Sequence, residues 1–324
     1  MATSGTVAQT VLDTATVLEH AVRRCGVQAS LQTPEIAQVG KQNLYLLLLN
    51  LANRGLNLWC VERNILGTEA NRAKYVLPAG TLRLLNVLYG TSTRLATTDT
   101  VAAASFSSAF DTATVRRYGF KPAATVTCAF SVEANDGTGW TAVATHASQE
   151  WVAGTWYWFD TDPSIEGVAF RISSATNFSL DEFYLTAAFT ELPMTQFNRD
   201  EYAQQPVKYY TQDRSTNFYF DKVLGPTITL WPVPNSDYGQ IVLWRYRYIQ
   251  DVGSLPQQIE VPLQWTEAVI WMLAARLAFE LPGINPALRQ EVQSMADRYM
   301  LEAETSETDN APIYLVPGIG VYTA

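Results

Sequence analysis

The sequence predicts an α+β protein: terminal helices forming a four-helix bundle, a central β-region and an inserted β-sandwich. Three observations carry this expectation. Apolar residues recur every three or four positions near both ends of the chain, which paints one face of a helix. Between about 92 and 262 that period vanishes and short runs separated by turn signals replace it, the mark of many strands. The 324 residues suffice for roughly two ordinary domains.

The first helix is expected over 6–24, where Val7, Val11, Ala15, Leu18 and Val22 share a face. Cys25-Gly26 ends it, because glycine readily takes the left-handed conformation of a helix stop. Thr33-Pro34 then reads as N-cap and first helical residue, since the proline ring presets φ and its missing N–H had no partner to lose. The second helix runs over 34–54 and stops at Gly55. Its middle, Leu44-Tyr45-Leu46-Leu47-Leu48-Leu49, is apolar all round, so it must be covered on several sides. Strands are expected over 58–62, 73–77 and 81–89, with a turn at Pro78-Ala79-Gly80.

From about Ser92 the composition shifts to Ser, Thr and Ala. Strands are expected over 101–104, 115–120, 124–134, 140–145, 156–160, 167–173 and 178–188, with turns at Asn135-Asp136-Gly137 and Asp162-Pro163. Such spacing suggests a sandwich of about 100 residues. A further β-section covers 208–210, 217–221, 227–231 and 240–248. In its last strand, strict alternation would put Trp244, Tyr246 and Tyr248 on one face and Leu243, Arg245 and Arg247 on the other. Helices return over 262–281, with Trp265, Val269, Met272, Leu273 and Leu277, and over 286–304, with Leu288, Val292, Met295 and Tyr299. Two terminal helix pairs most simply pack together. The expected map is therefore a core of 1–91 and 193–305, an inserted sandwich over 92–192, and an extended C-terminal arm over 306–324.

Composition excludes several functions. Lys+Arg is 22 against 31 Asp+Glu, a formal charge of −9, whereas a general nucleic-acid binder shows a basic balance or patch. Charged residues make up only 16% of the chain while 9 Trp and 16 Tyr are present. Few charges and many such aromatics suit large contact surfaces. The three cysteines, Cys25, Cys60 and Cys128, form no CxxC and accompany only two histidines, His20 and His146. No metal site is expected, and free thiols suit a reducing compartment. The N-terminus lacks the basic and apolar regions of a signal peptide. No run of about 18 apolar residues offers a membrane span.

No catalytic constellation is expected, so the chain reads as a non-enzyme without cofactor. His20 lies beside Glu19 in a helix and His146 at a strand end; both read as packed or solvated. Cys25 stands at a helix C-terminus, where the dipole disfavours thiolate. Gly137-Thr138-Gly139 is a hairpin turn, not a phosphate cradle. Asp181 and Glu182 are neighbours on a strand and point to opposite faces. Arg245 and Arg247 could meet phosphate, but in an acidic chain they more often pair with carboxylates at a subunit boundary.

The run Ser179-Leu180-Asp181-Glu182-Phe183-Tyr184-Leu185 resembles the last strand of jelly-roll carbohydrate-binding modules. That likeness implies a jelly-roll-like sandwich. Trp140, Trp151, Trp156 and Trp158 are its candidate glycan or partner surface, since indole rings stack on sugars. The plainer reading of the four is core and rim of the sandwich.

Residues 18–27 (LEHAVRRCGV) and 34–59 (PEIAQVGKQNLYLLLLNLANRGLNLW) are similar to the opening of the tail adaptors of short-tailed bacteriophages, of the tail tubular A and tail accessory factor types. Asn53, Gly55, Leu56 and Trp59 stand in the recurring phrase, with one extra residue before Trp59. Residues 262–280 (PLQWTEAVIWMLAARLAFE) resemble the family's C-terminal core helix, with small residues at Ala274, Ala275 and Ala278. The insertion over 92–192 departs from the minimal pattern. The resemblance implies a structural virion protein of the neck or tail, assembled in the host cytoplasm. It would form a ring of itself, a dodecamer, below the portal protein. Tail nozzle or fibre proteins would dock on its far side, and DNA would pass through the lumen without specific binding. The arm residues Ile313, Tyr314, Leu315, Val316, Ile319, Val321 and Tyr322 would contact the portal. The alternative reading is a carbohydrate-binding or adhesin-type tail module acting through the inserted sandwich.

Overall fold

The computed structural model describes residues 12–27, 33–54, 58–98, 113–167, 169–174, 176, 179–237 and 239–306. Residues 6–11 of the first expected helix, the stop at Gly55, the strand over 101–104 and the arm beyond Ser306, with every portal-contact residue named above, lie outside them. Contacts divide the chain into two compact units, Met1–Cys60 with Tyr248–Ala324, and Val61–Arg247.

The first unit is helical. It contains α1 (Thr14–Arg24), α2 (Pro34–Arg54), α4 (Leu263–Glu280) and α5 (Pro286–Ser306); α3 (Arg199–Gln204) belongs to the second. The Asp13 side chain accepts from the Thr16 N–H at 2.8 Å and so begins α1. Gly26 at φ +79° follows its end, in the conformation expected of a stop. Thr33 Oγ1 accepts from the Ile36 N–H at 3.3 Å, the cap that Thr33-Pro34 predicts.

Leu44, Leu47, Leu48 and Leu51 of α2 are buried with Val17, Leu18 and Val22 of α1 and with Trp265, Val269, Leu273 and Leu277 of α4. Val292, Ala296 and Met300 of α5 join the same core. α4 is its centre, and α1, α2 and α5 each pack on it. In place of the expected four-helix bundle, three helices pack around a fourth. The cause is composition: α4 is the most apolar helix and buries Ala268, Ala274, Ala275 and Ala278 among its larger residues, so neighbours approach it on several sides. Asn43, buried in α2, donates to Val39 O at 3.1 Å and to Glu280 at 2.8 Å, which ties α2 to α4. Trp59 donates to Glu260 O at 3.2 Å and lies 5.4 Å from Trp265.

The second unit is β-rich. Its strands are β1 (Val61–Gly67), β2 (Lys74–Val76), β3 (Thr81–Thr98), β4 (Ala113–Pro122), β5 (Val126–Asn135), β6 (Trp140–Trp151), β7 (Tyr157–Gly167), β8 (Ala169–Ser173), β9 (Leu180–Pro193), β10 (Thr195–Phe197), β11 (Thr211–Gln212), β12 (Asn217–Asp221), β13 (Thr227–Trp231), β14 (Val233–Pro234) and β15 (Gln240–Arg247). Six form a closed barrel in the order β1-β15-β3-β9-β4-β7. Its last seam is slight, since β7 meets β1 through the single pair Leu66↔Tyr157.

A three-stranded sheet, β6-β5-β8, lies over the β9-β4-β7 wall. Phe120, Phe130, Trp151, Phe170, Ile172 and Phe183 fill the space between. A four-stranded sheet, β10-β12-β13-β2, packs on the β15-β3 side through Phe218, Ile228, Leu230, Tyr89, Ile241 and Leu243.

Three expectations are corrected here. The sheet is continuous across residues 92 and 192: β3 and β9 pair from Leu88↔Pro193 to Thr98↔Phe183. The sandwich therefore shares its inner wall with the central β-region, and the compact unit begins at Val61 and ends at Arg247. Residues 208–210 are turn rather than strand, and α3, opened by an Asn198–Glu201 capping box, was not anticipated. Trp244 and Tyr246 do not share an environment. Trp244 is exposed and Tyr246 buried, while the register shifts beside them leave Leu85 and Leu82 of β3 without a partner in β15.

Three outcomes follow from this packing. Leu47→Ala is expected to cost about 2–5 kcal/mol, read by urea denaturation. Deleting 92–192 removes β4 and β7 and opens the barrel, so the β-unit is expected to lose its cooperative melt. Replacing 61–247 by a short Gly/Ser linker is expected to leave a folded helical unit by circular dichroism, because Val61 and Tyr246 are Cα partners and the ends to be joined lie close.

Candidate functional site

Of the four candidate tryptophans, three are interior. Trp151 closes β6 and points into the sandwich, where its indole donates to Cys128 O at 3.0 Å. Phe120 and Phe130 each lie 5.2 Å from it. Trp156 and Trp158 point into the barrel and stack at 5.2 Å, with Tyr184 against Trp158. Glycines make the room: a Cβ on Gly67 would lie 2.4 Å from Trp156 Cβ, and one on Gly119 2.6 Å from the Trp158 ring. Such buried rings present no face to a sugar. Trp140 is half-buried, and Arg171 lies over its ring at 4.4 Å. The sequence pattern thus grouped four rings that the fold distributes among the sandwich core, the barrel interior and its rim.

The barrel interior also holds charge, which the sequence did not single out. Arg117 of β4 is 0% exposed. Its Nε donates to Asp160 at 2.7 Å and one terminal nitrogen to Glu191 at 2.5 Å. The other terminal nitrogen donates to Gln240, and the Phe189 ring lies 3.8 Å from the guanidinium carbon. Arg63 of β1 pairs with the same two carboxylates. Two cations and two anions form a closed, neutral set. The only hint in the sequence is the run Arg116-Arg117 within an apolar strand; alternation exposes Arg116 and buries Arg117.

Arg245 and Arg247 have a similar fate. Both pair with Glu62 of β1, and Arg245 also reaches Asn64 at 2.5 Å and Thr81 at 2.8 Å. They serve the sheet of their own chain and not a bound phosphate.

His146 sits at the sandwich edge with Phe159 at 4.3 Å and Phe130 at 4.6 Å. Its Nε2 is 2.6 Å from the Tyr118 hydroxyl. Burial lifts the Tyr118 phenol above its ordinary range and lowers the imidazole, so the tyrosine donates to a neutral ring. Cys25 is buried, and burial pushes its thiol up to about 11; it donates to Ala274 O at 3.2 Å. Both groups are engaged in packing, and a thiol raised in this way is a weak nucleophile.

What the surface offers instead is apolar. Leu224 is 109% exposed, Tyr209 80%, Val76 67%, Phe279 66% and Leu301 64%. Side chains of this size in the open mark contact surfaces when they cluster.

No family model matches the chain, and no curated protein does. Among solved structures, the chain is similar to a selenomethionine-labelled mutant of chitosan-binding module 1 from a chitosanase/glucanase of Paenibacillus sp. IK-5. The identity is 15% and the TM-score 0.21, over 39% of this chain and 93% of that one. CpGH89CBM32-6, produced by Clostridium perfringens, is similar at 12% identity and TM-score 0.20, over 39% and 94%. A third likeness is to the T13 IBDV viral particle, at 8% identity and TM-score 0.15, over 77% and 54%.

Arg117→Ala is expected to destabilise the β-unit by about 3–5 kcal/mol, because it unbalances a buried ionic set; exposed Arg116→Ala is expected to stay within about 0.5 kcal/mol. Chemical denaturation checks both. His146 titrates lower in the folded state, so the folded protein binds fewer protons than the unfolded chain near its ordinary value. The stability this residue supports is present above a pH of about 6.5 and declines as pH falls below it. The melting temperature should drop between pH 7.5 and 5.5, and His146→Gln should flatten part of that drop.

Proposed function

We propose that this chain is a structural virion protein that forms a ring below the portal, joins phage head to tail and continues the DNA channel. One observation carries the reading. Helices α1, α2 and α5 pack on α4 as one helical unit although residues 61–247 lie between the two helix pairs. A helix pair at each end of the chain, converging on a small-residue core helix, is the plan of the tail adaptors that the sequence resembles.

Physical features support it. The formal charge of −9 suits a channel wall, because attraction to phosphates is what makes DNA adhere. The exposed Leu224, Tyr209, Phe279 and Leu301 suit a protein that works in contact with copies of itself and with neighbours. In this reading the partners are the same chain, the portal, and nozzle or fibre proteins. The jelly-roll-like sandwich of the β-unit decorates the ring, and residues 311–324 reach the portal. Carbohydrate binding would have to use Trp140, the most accessible of its four candidates.

The test is mass photometry of the purified protein alone and mixed with a portal ring. A discrete multi-subunit particle bound to the portal is expected. Truncation after Ser306 should leave the protein folded, with an unchanged melt, yet abolish attachment to filled heads. A truncated protein that attaches normally ends the portal-arm reading. Retention on a glycan array that disappears with Trp140→Ala, with no portal binding, would replace the connector reading altogether.

A further inference from the structure

In the helical unit, α2 and α5 both pack on α4 and leave a slot of about 260 Å³ between them. Leu47, Leu51, Met272 and Met300 line it together with polar Asn50 and with Asp297, which accepts from Gln293 at 2.9 Å. An Arg54–Glu304 contact at 3.6 Å spans α2 and α5 beside it, and Phe279, 66% exposed, also borders it. Arg276 lines the slot half-buried. It has no hydrogen-bond or ion-pair partner among the described residues. Glu280, whose field reaches it, accepts instead from Asn43. A partly desolvated guanidinium without a carboxylate is an incomplete interaction.

The β-unit carries a shape of the opposite kind. The β12–β13 hairpin turns through Lys222-Val223-Leu224-Gly225, where polar turn residues are the rule. Leu224 is 109% exposed and Val223 53%. Val76 of β2, whose Cα partner is Thr227 of β13, adds a third exposed aliphatic at 67%. Asp221, at the base of the turn, makes no ion pair among the described residues.

We propose that the β12–β13 tip of one copy of this chain seats in the α2/α4/α5 slot of a second copy. Leu224 and Val223 enter between Leu47, Met272 and Met300, and Asp221 supplies the carboxylate that Arg276 lacks. A protruding apolar pair beside the Asp221 carboxylate complements a recessed slot whose lining joins Leu47, Met272 and Met300 to the unpaired Arg276. Both features are exposed in the single chain, so a second copy is the occupant that carries the complement. Because tip and slot are different surfaces, the contact is heterologous and repeats from copy to copy, as a ring requires. The inference rests on the ring-forming reading above and names the contact that builds it.

The test mixes two single variants, Leu224→Cys and Gln293→Cys, at high protein concentration under mild oxidation. Gln293 lines the slot and the native Cys25, Cys60 and Cys128 are buried. A disulfide-linked dimer that forms only in the mixture is expected. In parallel, Leu224→Asp should raise the concentration needed for self-association by roughly tenfold or more. Arg276→Asp should do the same, and adding Asp221→Arg should restore it. Leu224 is fully exposed, so its variant keeps the melt of the parent. Self-association that survives Leu224→Asp, with no mixed disulfide, overturns this contact and leaves the ring reading standing. A protein that stays monomeric at every concentration, with or without portal, and yields no mixed disulfide overturns both.

Discussion

A positive charge cut off from solvent sits inside the β-unit, and the barrel around it is arranged to neutralise that charge. Stripping water from a guanidinium costs several kcal/mol unless partners replace it. Arg117 finds them on three other strands, Asp160 on β7, Glu191 on β9 and Gln240 on β15. Arg63 of β1 then balances the second negative charge. Five of the six barrel strands thus contribute to one neutral set. The contribution of β1 matters most for closure, because its backbone meets β7 at a single residue pair. Side-chain pairing of Arg63 with Asp160 holds the seam where the ladder of hydrogen bonds does not.

That constraint also orients the layer outside. In a strand, fixing Arg117 inward fixes Tyr118 outward, and a slip of one residue would reverse both. With Arg117 inside, Tyr118 and Phe120 face β6-β5-β8 and meet Phe130, His146, Trp151 and Phe159. On the inner face Gly119 leaves space for the Trp158 ring. The aromatic sandwich and the ionic interior are two faces of one strand, which is why the tryptophans are divided between them and not gathered on a surface.

The helical unit obeys a different rule. Its stability comes from non-directional burial around α4, helped by small residues and by one buried amide, Asn43, whose bonds register α2 on α4. Such packing leaves a slot where the flanking helices α2 and α5 do not meet. One unit is thus fixed by charge pairing and the other by apolar burial.

Elements whose signal is local were legible in the amino-acid order. Thr33-Pro34 and Cys25-Gly26 placed helix ends, the leucines of α2 and the apolar run of α4 placed the helical core, and the strands 217–221 and 227–231 were legible from alternation. The Asn198–Glu201 box of α3 was also written there, but a six-residue helix that buries no residue has no apolar period to announce it. Only the tertiary structure decided the rest. Whether an arginine in a strand is buried depends on carboxylates 43 and 74 residues away, which no local pattern can reveal. Trp244 is exposed and Tyr246 buried because different elements cover the two positions, which alternation along β15 does not encode. The boundary at 92 and 192 failed for a related reason. Composition changes there, but β3 and β9 stay paired on both sides of it, through register shifts at Ser92/Arg94 and Arg94/Ala96, and pairing across sequence distance, not composition, makes a sheet one body.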